Sequence, residues 1–187
     1  MNTLWFTTGT LCNLSCEHCY IESTPTNDRL VYLSAGEVES YLEEIAGLGL
    51  PTEEIGFTGG EPFMNPEIVA TLEAALTRDH RVLVLTNGMR PMLRHAPALL
   101  RLRNRFGERL AISVSLDHSR AAEHESLRGA KSWQPALARR AGLRPADSRP
   151  RLFAEHGIGI DATDAVALVL FPEMGERLDV SEITVDC

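Results

Sequence analysis

Cys12, Cys16 and Cys19 form a C-x3-C-x2-C array. Thiolates this close in sequence can close around one metal centre without help from distant parts of a chain. Their number is as informative as their spacing. A structural zinc, or a cubane ligated wholly by protein, takes four protein ligands. Three leave one metal position open to something that is not protein. Zinc sites usually arrive as two well-separated ligand pairs, and no second pair follows here. His18 lies between two of the cysteines, but side chains adjacent in sequence rarely reach one ion without strain. The chemistry points to an iron–sulfur cluster, with zinc and merely buried thiols as the alternatives. A disulfide framework fails, because 187 residues bury a core without cross-links and no secretory signal opens the chain.

Three further segments carry polar chemistry. Ile55-Gly-Phe-Thr-Gly59-Gly60-Glu61-Pro62 reads as a strand running into a glycine turn. Paired glycines let backbone approach a ligand closely, and a neighbouring carboxylate can hold an ammonium by charge-assisted hydrogen bonds. A plain strand-to-helix turn is the alternative. The apolar run 82–85 reads as a buried parallel strand with Thr86 and Asn87 at its C-terminal end. Residues 110–117 read as another strand. Ser113, Ser115 and Asp117 alternate along it and so share one face. Capping of the following helix is the competing role for these strand-end residues.

In this order, the four segments resemble the radical S-adenosylmethionine (radical SAM) enzymes. The resemblance implies a [4Fe–4S] cluster on Cys12, Cys16 and Cys19, its fourth iron chelating the amine and carboxylate of S-adenosylmethionine. It implies reductive cleavage to a 5′-deoxyadenosyl radical, which takes hydrogen from an unknown peptide or small-molecule substrate. An electron donor such as flavodoxin or ferredoxin is a further implied partner. The resemblance assigns Gly59, Gly60, Glu61 and Pro62 to the methionine amine. It assigns Ser115 and Asp117, with Ser113 and Asn87, to the ribose and carboxylate. The segment His124-Glu-Ser-Leu-Arg128-Gly129 is similar to the helix that trails this strand in the family and reads as structural. The alternative function is a catalytically incomplete fragment, at most an iron–sulfur or zinc binding module.

These residues need a scaffold, and the elements alternate strand and helix, which means a parallel sheet. Strands are expected at 4–9, 54–58, 82–86 and 110–116. One helix opens with a capping box at Ser34 and Glu37, turns Val38, Tyr41, Leu42, Ile45 and Leu48 inward, and stops at Gly49. A second has Asn65 as N-cap and Val69, Leu72 and Leu76 inward. A third runs from about Pro97 to Gly107. The expected fold is α/β: a partial (β/α) barrel, an incomplete TIM-type barrel of five to six parallel strands, since eight units take about 250 residues. Its site should lie at the C-terminal strand ends. The regularity fails at 139–151, which holds two prolines and five arginines where a fifth strand is due at 140–147. A lid or linker, a hidden strand and altered sequence compete there, and altered sequence is favoured by the rarity of long structureless loops. The next credible strand is 166–171. Residues 1–187 read as one domain, with no complete C-terminal auxiliary-cluster domain. Cys187 is then either the first residue of such a domain or a lone cysteine. The net charge of −8 argues against nucleic-acid binding. No segment reaches the length of a membrane helix, and unpaired thiols fit a cytoplasmic location.

Overall fold

Short runs of apolar residues bounded by turn residues form four strands in the computed structural model, which describes residues 3–118 and 120–136. They are β1 (Thr3–Thr7), β2 (Glu54–Thr58), β3 (Arg81–Thr86) and β4 (Leu110–Val114). All pairs are parallel, and the strands lie side by side in chain order. Alternate residues Phe6, Ile55, Phe57, Val82, Val84 and Ile112 share one core with residues of the helices α1 (Ala35–Gly47), α2 (Ile68–Thr77) and α4 (Ala96–Phe106). Sequential order with one helical layer is the winding of a barrel. A doubly wound sheet would reverse its strand order partway and place helices on both faces. The fold is therefore a partial (β/α) barrel.

On the opposite face the Trp5 indole lies over Gly56, where an added Cβ would stand 2.3 Å from the ring. Four strands occur among the described residues, against the five to six expected. The segments 139–151 and 166–171, and Cys187, lie outside the described residues. Two strands end earlier than expected, β1 at Thr7 and β4 at Val114. Gly9, at φ +133°, turns the chain off the sheet into the cysteine loop.

The helix signals are obeyed at the ends and corrected in detail. Ser34 Oγ accepts from Glu37 N at 3.2 Å, and Ser34 N donates back to Glu37 Oε2 at 2.8 Å, a complete capping box. Ser34→Ala should cost about 0.5–2 kcal/mol, read as a lower urea midpoint of the metal-free protein. The α1 helix ends in a Schellman motif: Leu50 N donates to Ile45 O, Gly49 N donates to Ala46 O, and Gly49 sits at φ +60°. Val38, Leu42 and Ile45 are buried as expected, but Tyr41 and Leu48 are exposed. Tyr41 flanks the stripe with its ring against Phe6, and Leu48 falls beyond the last helical residue.

Asn65 does not cap α2, which begins at Ile68 behind Glu67. Its Oδ1 instead accepts from Glu67 N at 2.8 Å in an Asx turn, and its Nδ2 donates to Leu33 O at 2.7 Å. The helix expected at 97–107 is present as α4, and an unexpected shorter helix stands before it. A short α3 (Arg90–Arg94) precedes α4, with Pro91 and Pro97 in their first turns and His95 between them. Pro97 has no N–H to donate back to the preceding turn, so the α3 ladder cannot run on through it and a new helix starts.

Candidate active site at the strand ends

The C-terminal ends of all four strands open on one cavity of about 510 Å³. Cys12, Cys16 and Cys19 line it from the loop after β1, and Thr58, Gly59 and Gly60 from the end of β2. Thr86 and Asn87 reach it from β3, and Ser115 and Asp117 from beyond β4. Parallel strands share one polarity, so residues at four separate points of the chain converge here.

The cysteine loop is held by its own backbone. Cys12 N donates to Thr24 O at 3.1 Å, and Thr10 Oγ1 donates to Asn27 O while accepting from Leu30 N, both at 3.0 Å. At the cavity, Gly60 N donates to Gly9 O at 2.9 Å and Glu61 N donates to Leu11 O at 3.1 Å. An added Cβ on Gly60 would meet Leu11 O at 2.2 Å, and one on Gly59 would meet Gly9 O at 2.7 Å. The close approach these glycines permit is chain against chain. They dock the cysteine loop onto β2.

The donor set fits a cluster. All three cysteines are free thiols facing one cavity, Cys12 buried and the other two half-buried. Backbone N–H groups point at the sulfurs: Leu14 N at 3.4 Å from Cys12 Sγ and Ser23 N at 3.2 Å from Cys19 Sγ. Burial pushes the Cys12 thiol up to about 11, with the Leu14 N–H working the other way. Burial also raises Cys16, opposed chiefly by the Arg128 guanidinium. A metal centre takes thiolates, so loading releases these protons. Among the described residues no three His, Cys, Asp or Glu side chains converge as a single ion requires. In a cluster each thiolate has its own iron.

The remaining expected site residues divide. Ser115 and Asp117 line the cavity, but Ser113 is buried within the β4 ladder opposite Leu85 and does not. Pro62 is also buried and opens a short 3-10 turn, Pro62–Met64. Glu61, expected to face the methionine amine, is 1 % exposed and does not line the cavity. Its Oε1 accepts from Thr86 Oγ1 at 2.7 Å and Phe63 N at 3.1 Å, and its Oε2 accepts from Asn87 N at 2.9 Å. Burial raises its pKa and these three donors oppose the rise.

Asp117, assigned to the cosubstrate, is instead gripped by Arg128 from α5 (Ala121–Arg128), at 2.5 Å to Nε and 2.8 Å to Nη2. Such a two-point pair is the geometry in which burying both charges is tolerated. Arg128 lines the cavity, although its segment reads in sequence as a structural helix. Its one local signal, a basic residue in the last turn before a glycine, equally describes ordinary helix capping. Burial works against the Arg128 charge, but Asp117 and the nearby thiols hold its pKa above the ordinary value. Buried His124 accepts from Asp117 N through Nδ1 at 3.3 Å and packs edge-on against Trp133. Burial first, then the Arg128 charge, lowers its pKa. The cavity thus offers three thiols and a half-buried cation in its lining.

Comparison with known proteins agrees with this geometry. The chain is 33% identical over 120 residues to the antilisterial bacteriocin subtilosin biosynthesis protein AlbA of Bacillus subtilis, covering 64% of this chain and 25% of the relative. It is 31% identical over 140 residues to the AdoMet-dependent heme synthase of Methanosarcina barkeri, covering 73% of this chain and 37% of that protein. The chain therefore spans well under half the length of these relatives. The crystal structure of Streptococcus suis SuiB bound to S-adenosylmethionine superposes with a TM-score of 0.57 at 18% identity, over 70% of this chain and 28% of that one, and shows a common fold. The family model described as the Radical SAM superfamily matches residues 6–144, so the chain belongs to that superfamily.

Proposed function

We propose that this chain holds a [4Fe–4S] cluster on Cys12, Cys16 and Cys19 and cleaves S-adenosylmethionine reductively. The observation that carries the reading is the meeting of three free thiols with the ends of four parallel strands in one cavity. When bound, the cluster supplies one electron that breaks a carbon–sulfur bond of the sulfonium, giving methionine and a hydrogen-abstracting 5′-deoxyadenosyl radical. An external reductant such as flavodoxin or ferredoxin supplies that electron.

The chain's own residues hold and orient. Gly59 and Gly60 dock the cysteine loop on β2 and present backbone to the cavity. Arg128, fixed by Asp117, places a cation where a carboxylate would sit close to the thiolates. Ser115 adds a hydroxyl to the cavity lining. These groups fit the charged end and the ribose of the cosubstrate. The relatives' names point to bacteriocin and heme biosynthesis, so family membership leaves a peptide and a small molecule both open as substrate. Among the described residues no helix is long and apolar enough to cross a membrane, and the free thiols suit the reducing cytoplasm.

The test is anaerobic reconstitution with iron and sulfide, followed by dithionite and S-adenosylmethionine. The expected result is near-stoichiometric cluster and formation of 5′-deoxyadenosine. Cluster without 5′-deoxyadenosine would leave a binding module. No cluster would overturn the reading.

A further inference from the structure

We propose that Glu61 and Asn87 are positioning residues that hold Cys12 in place for the cluster, and are not ligands of the cosubstrate. The inference rests on the cluster reading above.

The argument is a closed ring of contacts around the first cysteine. Glu61 N donates to Leu11 O at 3.1 Å. The Glu61 carboxylate then accepts from Asn87 N at 2.9 Å. Asn87 Nδ2 in turn donates to Cys12 Sγ at 3.6 Å, and Cys12 is bonded to Leu11, which closes the ring. Thr86 braces it, donating to Glu61 Oε1 at 2.7 Å while its hydroxyl accepts from Gly88 N at 3.1 Å.

The Asn87 amide has no freedom to turn around. Its Oδ1 accepts from Met89 N at 2.9 Å, which fixes the oxygen end and leaves the nitrogen facing the loop. Both Nδ2 hydrogens are then engaged, one toward Cys12 Sγ and one toward Asn13 Oδ1 at 3.0 Å. Glu61, Asn87 and Cys12 are all buried, at 1 %, 7 % and 6 % exposure. A carboxylate already held by three donors has little reason to leave them for a ligand. A side-chain amide that donates to a ligating sulfur, on a residue whose backbone N–H is held by a buried carboxylate, is an outer-shell arrangement of the kind that orients metal ligands.

The experiment compares Asn87→Ala, Asn87→Asp and Glu61→Gln with the wild-type chain. Asn87→Asp keeps the size and the acceptor for Met89 but turns an acceptor toward the thiolate. Three quantities are read. The first, in metal-free protein, is the iodoacetamide labelling rate of Cys12, with Cys16 and Cys19 as internal references. The second is the half-time of iron release to a chelator after reconstitution, with the EPR spectrum of the reduced cluster. The third is the dissociation constant of S-adenosylmethionine per loaded cluster.

The expected result is a Cys12-specific change in labelling, a shifted EPR spectrum and iron loss faster by about tenfold. The cosubstrate constant per loaded cluster should be unchanged. Wild-type labelling, spectrum and release rate in both Asn87 variants would overturn the inference. So would an intact cluster with weakened cosubstrate binding, because the residues would then be touching the ligand. A wild-type chain that takes up no cluster would sink the cluster reading itself, a separate outcome from the labelling result.

Discussion

Cys16→Ala is expected to abolish cluster incorporation, and Cys12→Ala and Cys19→Ala to do the same. Each thiolate would serve one iron, and three is already one fewer than a protein-saturated cubane takes. No other cysteine lies among the described residues to replace a missing one. The metal-free variants should still fold, because the loop is held by backbone bonds such as Cys12 N to Thr24 O and Glu61 N to Leu11 O that need no sulfur. The measurement is iron and sulfide per chain after anaerobic reconstitution, beside a thermal melt without metal. Cys187→Ala should load like wild type. Full iron content in Cys16→Ala would remove the three-cysteine site.

Gly60→Ala should damage the site without touching any ligand. Its new Cβ would meet Leu11 O at 2.2 Å and Thr10 O at 2.8 Å, both backbone atoms with no rotamer to escape into. Relief requires lifting the cysteine loop from β2, which breaks the Gly60 N to Gly9 O and Glu61 N to Leu11 O bonds. Overpacking and two lost hydrogen bonds together cost about 2–5 kcal/mol. That is a large part of a domain's usual margin of about 5–15 kcal/mol. A lower melting temperature and poor cluster retention should appear together. Gly36→Ala, a helical position where nothing lies within 4 Å of the new Cβ, is the control and should be neutral or stabilising. A Gly60→Ala protein that melts and loads like wild type would show that the turn has room to spare.

Local chemistry made much of the scaffold legible. The capping box at Ser34 and Glu37 and the stop at Gly49 are short-range hydrogen-bonding patterns, and both ends of α1 obey them. β2 lies at Glu54–Thr58 as its apolar run implies. Where a second interaction competed, the local signal lost. Asn65 has the chemistry of an N-cap, but Leu33 O takes its amide nitrogen and its oxygen closes a turn one step earlier. The extra helix α3 carries no sequence signal because five residues are too few to show a period.

The sequence alone determined that three thiols, a glycine turn and polar strand ends occur in the order that a parallel sheet brings to one end. It could not decide what each polar side chain would face there. A carboxylate beside two glycines looks available for a ligand, yet Glu61 is claimed by Thr86 and Asn87, 25 and 26 residues away. An arginine in a last helical turn looks like solvated capping, yet Arg128 lines the cavity in a two-point pair with Asp117. The reason is physical. Whether a buried polar group is spent or free depends on donors and acceptors that arrive from other strands, and only the register of the folded sheet brings them within reach.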